Sequence, residues 1–533
     1  MKTLNCVLVL LLAAVGPVPH LSAEPEGAGQ LRRVSIAYIN DIHAQIEPHP
    51  ELFWADGREE AVRNVGGLSR IATVFNELRR NQPGEVLFID GGDTIQGSGP
   101  ASWTDGRVVV EPMNALGLDL AIPGNWSVTY GKDAWMDRVA EFDYPMIAAN
   151  MRDAETGDLL HEPYFVKELN GVRVGVIGFT EPQIPTRQPP HMSDGLAFDE
   201  ASVIQPLVDE LREEEAVDLV VIATHIGLGR AMALAREVEG EDIILSADTH
   251  ERTYEPMVVD GTWIVEAGAF GSFVGKLDLF FDADGELADR RWRLIELRPE
   301  LYPEDPGVRE IVGRALEPHR ERMNRVIGHT DGWLARYNVI HTSLDQVITD
   351  AILDVTGADV ALSNGFRFSP PTAPGPITEA DLWSWLPLNL RLKKGEATGA
   401  QFETYWEEEL ENVFSRDPSR LFGGWLPRAS GLELEFDSAS APGERVRALR
   451  IGGQPLDPEK IYSVAAGARK GAPETNVHRV RDCATVRTLP LTTHDAVRKY
   501  LGNRSSIGGD FRPNLRVLDR AGVMRSQFIA GSE

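Results

Sequence analysis

Short apolar runs rich in Val and Ile recur along the first half of the chain, and each ends in a polar cluster. Val34-Ser35-Ile36-Ala37-Tyr38-Ile39 runs into Asn40-Asp41, and Glu85-Val86-Leu87-Phe88-Ile89 into Asp90. Val172 to Ile177 runs into Gly178, and Leu219-Val220-Val221-Ile222-Ala223 into Thr224-His225. Runs this short and this continuously apolar read as strands buried on both faces, because a strand with one wet face would alternate. Between them, Leu68 to Arg79 and Ile204 to Glu215 carry apolar residues at three- and four-residue spacing, as helices with one buried face do. The alternation predicts an α/β layered domain over residues 30–300, with its polar clusters just past strand ends, where such folds place ligands. Residues 301–326 read as a connecting helix. A second unit over 327–525 opens with a helix from Thr342 to Val355 and a strand at Val360-Ala361-Leu362.

The length of 533 residues exceeds what one core usually supports, in keeping with two domains. At the N-terminus, Lys2, the apolar stretch Cys6 to Val15 and a cleavage site at Leu21-Ser22-Ala23, ending in small residues, describe a secretory signal peptide over 1–23. A membrane anchor needs about 20 apolar residues, and Pro17 and Pro19 end this run too early. The reading implies a periplasmic or secreted protein with no membrane association after cleavage. It also leaves Cys483 as the single thiol, so no intramolecular disulfide forms and the residue reads as a packed cysteine. The formal charge of −28 argues against a nucleic-acid polymer as partner, since phosphate neutralisation needs clustered Lys and Arg.

Five segments deliver metal-type side chains. Asp41 and His43 form an Asp-x-His pair, and Asp93 follows Asp90-Gly91-Gly92, whose glycines allow a tight turn. Asn125 lies in Gly124-Asn125-Trp126, His225 ends a strand, and Asp248 and His250 lie in Ala247-Asp248-Thr249-His250. Oxygen and nitrogen donors without thiolate favour divalent ions of the Mn, Zn or Fe type over a structural cysteine-held zinc. Ions of that charge dominate local electrostatics, so a small anionic substrate is compatible with the acidic total.

The order of these motifs resembles the calcineurin-like metallophosphoesterases in the two-domain form typified by periplasmic 5'-nucleotidases. The resemblance implies a four-layer α/β/β/α sandwich followed by an α+β domain that chooses the substrate. It implies a first metal on Asp41, His43, Asp93 and His250, and a second on Asp93, Asn125, His225 and Asp248. The activity implied is metal-hydroxide attack on phosphomonoesters such as nucleotides, with Asn125 and Asp93 as catalytic residues.

Two departures stand out. Asp248 replaces a family histidine, and Trp126-Ser127 replace the family's His-Glu, so the histidine that assists the leaving group is missing. Asn125-Trp126-Ser127-Val128-Thr129-Tyr130-Gly131 is similar instead to the thiosulfohydrolase branch, which releases sulfate from a thiosulfonate on the cysteine of a carrier protein. A catalytically silent metal-binding module is a third reading. In the second unit, Ser363-Asn364-Gly365-Phe366-Arg367 and Leu421 to Gly431 resemble the nucleotidase C-terminal domain. That likeness implies Arg367 and Arg391 as anion contacts and Trp425 as one aromatic wall for a base. The second aromatic, expected between Ala466 and Thr475, is absent, and Arg469-Lys470 stand in that stretch.

Overall fold

The computed structural model describes residues 31–55, 58–365, 368–417, 420–421, 425–508, 511, 513–519 and 528–529. The signal-peptide reading over 1–23 and Arg367 lie outside the described residues.

Two sheets face each other in the N-terminal half. The first has five strands in the order Leu287–Glu296, Phe273–Phe281, Arg32–Ile39, Val86–Asp90, Leu120–Ala121. The second has six, in the order Met257–Val259, Thr262–Val265, Ile243–Ser246, Leu219–His225, Val172–Thr180, Tyr164–Leu169. The unbroken apolar runs have a simple cause, because each central strand is covered on both faces. Val34, Ile36 and Tyr38 join Leu219, Val221 and Ala223 in the core between the sheets. Ala37 and Ile39 turn the other way, onto the helix Leu68–Asn81. Val220 and Ile222 likewise pack on the helices Ile204–Glu213 and Leu228–Leu234. The layers therefore run helix, sheet, sheet, helix. The core strands of each sheet pair in parallel, while the first sheet is antiparallel at one edge and the second at both. The hairpin His49–Ala55 with Arg58–Val65, whose first strand is largely buried, escapes the sequence reading because its second strand is mostly polar and exposed.

The connecting segment is not one helix. It forms Pro306–Leu316, a tight turn Glu317–His319 and a short helix Arg320–Met323. The break falls at Pro318, which has no N–H to donate to the ladder.

The C-terminal half is built on a five-stranded sheet ordered Trp425–Ser430, Val360–Gly365, Ile461–Gly467, Arg391–Thr398, Ala484–Thr492. Helices Ser343–Thr356 and Thr493–Gly502 cover one face and Gly399–Phe414 the other. Cys483 is buried in the second of these cores, where burial pushes its thiol pKa up. Among the described residues, no helix is long and apolar enough to cross a membrane.

Buried histidines make the fold pH-sensitive, His161 among them. The Trp135 indole donates to His161 Nε2 at 3.3 Å, and burial pulls the His161 pKa down to about 4. An unfolded histidine titrates near 6.5, so the unfolded chain takes the proton first and stability falls as pH drops through that window. We expect His161 to cost about 2 kcal/mol between pH 7 and pH 5. Urea unfolding at the two pH values should show a loss smaller by about that amount in His161→Gln than in the native chain, the remainder coming from other buried histidines such as His494, whose pKa burial also pulls down to about 4; equal losses in both would contradict it.

Candidate metal centre

The predicted metal-type residues converge at the carboxyl ends of strands from both sheets. Asp41 and His43 follow Arg32–Ile39, Asp93 follows Val86–Asp90, His225 ends Leu219–His225, and Asp248 and His250 follow Ile243–Ser246. The loops after the first two strands are zipped together, with the amides of Asp41 and His43 donating to the carbonyls of Gly92 and Asp93 at 2.9 and 2.8 Å. Asp41, His43, Asp93, Asp248 and His250 all have positive φ, between 47 and 82°. Such backbone costs of order 1–3 kcal/mol per residue and clusters at functional sites. Gly124 allows the closest approach: a Cβ there would lie 2.2 Å from Asp93 Oδ1.

Two groups of ligand-type atoms form, one from Asp41, His43 and His250 and one from Asp41, Asp93 and His225, all buried. Asp41 is thus common to both. Its Oδ1 lies 3.3 Å from His250 Nε2, 3.6 Å from His43 Nε2 and 3.7 Å from His225 Nε2. Asp93 Oδ2 also reaches both sides, 3.2 Å from His225 Nε2 and 3.7 Å from His43 Nε2, while its Oδ1 accepts from the Trp126 amide at 2.7 Å. Burial pushes Asp41 up, but the imidazoles of His250 and His225 outweigh it and hold the carboxyl well below the usual range. Burial pulls His225 down, and Asp93 and Asp41 more than reverse this, raising it to about 10. A cation entering this centre displaces that proton.

Residues around the ligands orient them. His43 Nδ1 faces the Gln96 carbonyl at 3.0 Å and His225 Nδ1 the Gly91 carbonyl at 2.7 Å. A carbonyl only accepts, so each Nδ1 carries a hydrogen and each Nε2 is the atom aimed at the centre, where it can bind a cation once its own proton is lost. Asn40 Nδ2 donates to Asp41 Oδ2 at 2.7 Å and fixes that carboxylate. Asp90 accepts from Thr94 and Gly92, and Glu266 from Ser246, Thr249 and Glu251, so these carboxylates brace the loops.

The donor set suits divalent ions. Asn125 Oδ1 is buried without a hydrogen-bond donor, while its Nδ2 donates to Asp248 Oδ1 at 2.8 Å. An amide oxygen left over in this way, beside imidazole nitrogens and carboxylates, is what a hard or borderline cation takes. Asp41, His43, Asp93, His225 and His250 with Asn125 form one cluster. Asp248 adjoins it, but its carboxylate faces Arg187, whose Nη2 lies 3.2 Å from Asp248 Oδ2. Arg187 also pairs with Glu181, which pairs in turn with Arg230. Nothing in the sequence flagged Arg187, because an arginine in a short polar helix reads as solvated.

Beside the centre, a cavity of about 90 Å³ opens between the two halves of the chain. Trp126 and Arg187 line it from one side, and Trp425, Arg469, His478 and Arg479 from the other. Phe368 caps the join, its ring 5.2 Å from those of both His43 and Trp126. Arg391 is exposed at the start of its strand and does not line this cavity. Arg469 donates to the Thr186 and Gln188 carbonyls, and Arg479 pairs with Glu409.

Residues 34–252 match the family described as calcineurin-like phosphoesterase, and residues 326–468 that described as 5'-nucleotidase, C-terminal domain. The bovine 5'-nucleotidase is 25% identical over 81% of this chain and 81% of its own. The trifunctional nucleotide phosphoesterase YfkN of Bacillus subtilis is 24% identical over 78% of this chain, which spans only 30% of that longer protein. Among solved structures, the sulfate thiohydrolase SoxB of Thermus thermophilus superimposes with a TM-score of 0.81 at 25% identity, covering 92% of this chain and 98% of that one. A 5'-nucleotidase precursor from Thermus thermophilus gives 0.78 at 25% identity, covering 92% and 100%. The chain belongs to the calcineurin-like phosphoesterases that carry a 5'-nucleotidase C-terminal domain, and it is a metal-dependent hydrolase.

Proposed function

We propose that the protein hydrolyses small phosphomonoesters, nucleotides foremost, at a divalent-metal centre held by Asp41, His43, Asp93, Asn125, His225 and His250. The observation that carries this is the buried Asp/His/Asn cluster beside a cavity lined by Trp126, Arg187, Arg469 and Arg479. Divalent ions bound there lower the pKa of water and stabilise charge on the attacking and leaving oxygens. The protein's own groups do the rest. Arg187 and Arg469 present guanidinium forks that suit a phosphoryl or sulfonyl group. Trp425 offers a face to a base, and Phe368 with Trp126 shields the cluster from solvent. The functional units are residues 30–300 for the metals, 301–326 as connector and 327–525 for substrate choice, in a protein exported by cleavage of residues 1–23.

A second reading has its own support. With Trp126 in place of a proton donor, and a cavity of only about 90 Å³, a cysteine-bound thiosulfonate on a carrier protein also fits. Assays of the Mn-loaded protein on AMP, an aryl phosphate and a thiosulfonate-bearing cysteine peptide separate the two; turnover of none would defeat both.

Trp126 supplies a sharper test. Indole cannot protonate a leaving group, and a positioned acid contributes about 10²–10⁴ in rate. Trp126→His should therefore raise AMP hydrolysis by about tenfold or more while changing aryl phosphate hydrolysis, which needs no acid, much less. An unchanged or lower rate on AMP would refute this account of the missing donor.

A further inference from the structure

We infer that the centre binds one divalent cation tightly on its own and takes a second only together with an anionic substrate, because Arg187 already neutralises the carboxylate at position 248. The inference rests on the reading that the cluster binds divalent cations, and it concerns how many and when.

The charges decide it. Asp41 and Asp93 face the cluster directly, and the other donors, His43, His225, His250 and the Asn125 amide, are neutral ligands. One divalent cation cancels the two carboxylates. Asp248 looks like the source of charge for a second, but its carboxylate is already used. Oδ1 accepts from Asn125 at 2.8 Å and Oδ2 lies 3.2 Å from Arg187 Nη2, with the Arg187 side chain only 9% exposed. Arg187 in turn is 2.5 Å from Glu181, which also holds Arg230 at 2.7 Å. Two guanidiniums and two carboxylates thus balance within the network, with nothing left for a cation. Asp90 and Glu266 are likewise spent on loop hydroxyls and amides. A second divalent ion would bring two positive charges into a balanced centre beside a buried guanidinium. A dianionic substrate supplies the missing charge, and it reaches both the second ion and Arg187, which lines the cavity. On this account Arg187 is a positioning residue that makes second-cation binding depend on substrate.

Titration calorimetry of the chelator-stripped full chain with Mn²⁺, with and without methylphosphonate, tests this. The native chain should show one tight site, with a second at least about tenfold weaker that tightens when methylphosphonate is present. Arg187→Met frees Asp248 and should strengthen the second site at least about tenfold without the phosphonate, while Arg187→Lys, which keeps the charge, should behave as the native chain does. Asp248→Asn should leave the first site nearly unchanged, which keeps the idea testable if Arg187→Met fails to fold. Two equally tight sites in the native chain without phosphonate would overturn the inference, as would loss of the first site in Asp248→Asn. Absence of any Mn²⁺ binding would remove the metal centre itself, and the inference with it.

Discussion

The Asp41→Asn variant should lose at least about 100-fold in Mn²⁺ affinity and at least about 10³-fold in turnover while remaining folded. Asp41 is the residue common to both ligand groups, with Oδ1 facing three imidazoles at 3.3–3.7 Å. Its Oδ2 is already committed, accepting from Asn40 and from the Asp248 amide at 3.1 Å. The orientation is thus fixed from outside, and the variant changes charge and donor strength with little change of shape. Removing the charge halves the anionic compensation for the first cation. Calorimetry with Mn²⁺, phosphate-release assays and far-ultraviolet circular dichroism together check the prediction. Affinity within a few-fold of the native value would mean that the cation sits elsewhere.

Asp345→Ala should destabilise the protein by about 3–5 kcal/mol, the largest stability effect expected of any single charge removal in the C-terminal half. Asp345 is fully buried at the start of the helix Ser343–Thr356. Its Oδ1 lies 2.7 Å from Arg336 and its Oδ2 3.1 Å from Arg428, and both arginines are buried too. Burial already pulls the Arg428 guanidinium down to about 10. Without the carboxylate, two like charges would face each other out of water, and removing one partner of such a set is far costlier than its net contribution. The exposed pair of Arg107 and Glu141, with Arg107 66% accessible, is worth little by comparison. The damage should also reach the cavity, because Arg336 donates to the Asn364 carbonyl at 3.1 Å and Asn364 is a lining residue. Urea unfolding at neutral pH measures the loss; a change under about 1 kcal/mol would contradict the assignment.

How much of this could be read beforehand follows from where the information lies. The central strands were legible because double burial leaves an unbroken apolar run, as in Leu219-Val220-Val221-Ile222-Ala223. The ligand residues were legible because each follows such a run directly, so chain order alone brings them to one edge of the layers. The strand Arg58–Val65 was not, since a mostly polar strand at the surface carries no period that separates it from a loop. The cut in the connecting helix at Pro318 needed only the missing N–H, and the polar pattern on either side concealed it. Arg187 was beyond reach for a different reason. Its meaning depends on Asp248 and Glu181, which are distant in sequence, and no local pattern distinguishes a buried arginine from a solvated one. The same holds for Asn40, whose hold on Asp41 is a property of geometry. Asp248 itself illustrates the limit: the motif identified the position, while its partner, which decides what the carboxylate can do, appeared only in three dimensions.

The central claim is that the buried Asp41, His43, Asp93, His225 and His250 cluster is where a divalent cation sits. Diffraction from Mn-loaded crystals at the manganese edge tests it most directly. The account predicts an anomalous peak among those five side chains, with Asp41 and at least two imidazoles within about 2.0–2.3 Å. No peak there, or one held by other residues, would contradict it.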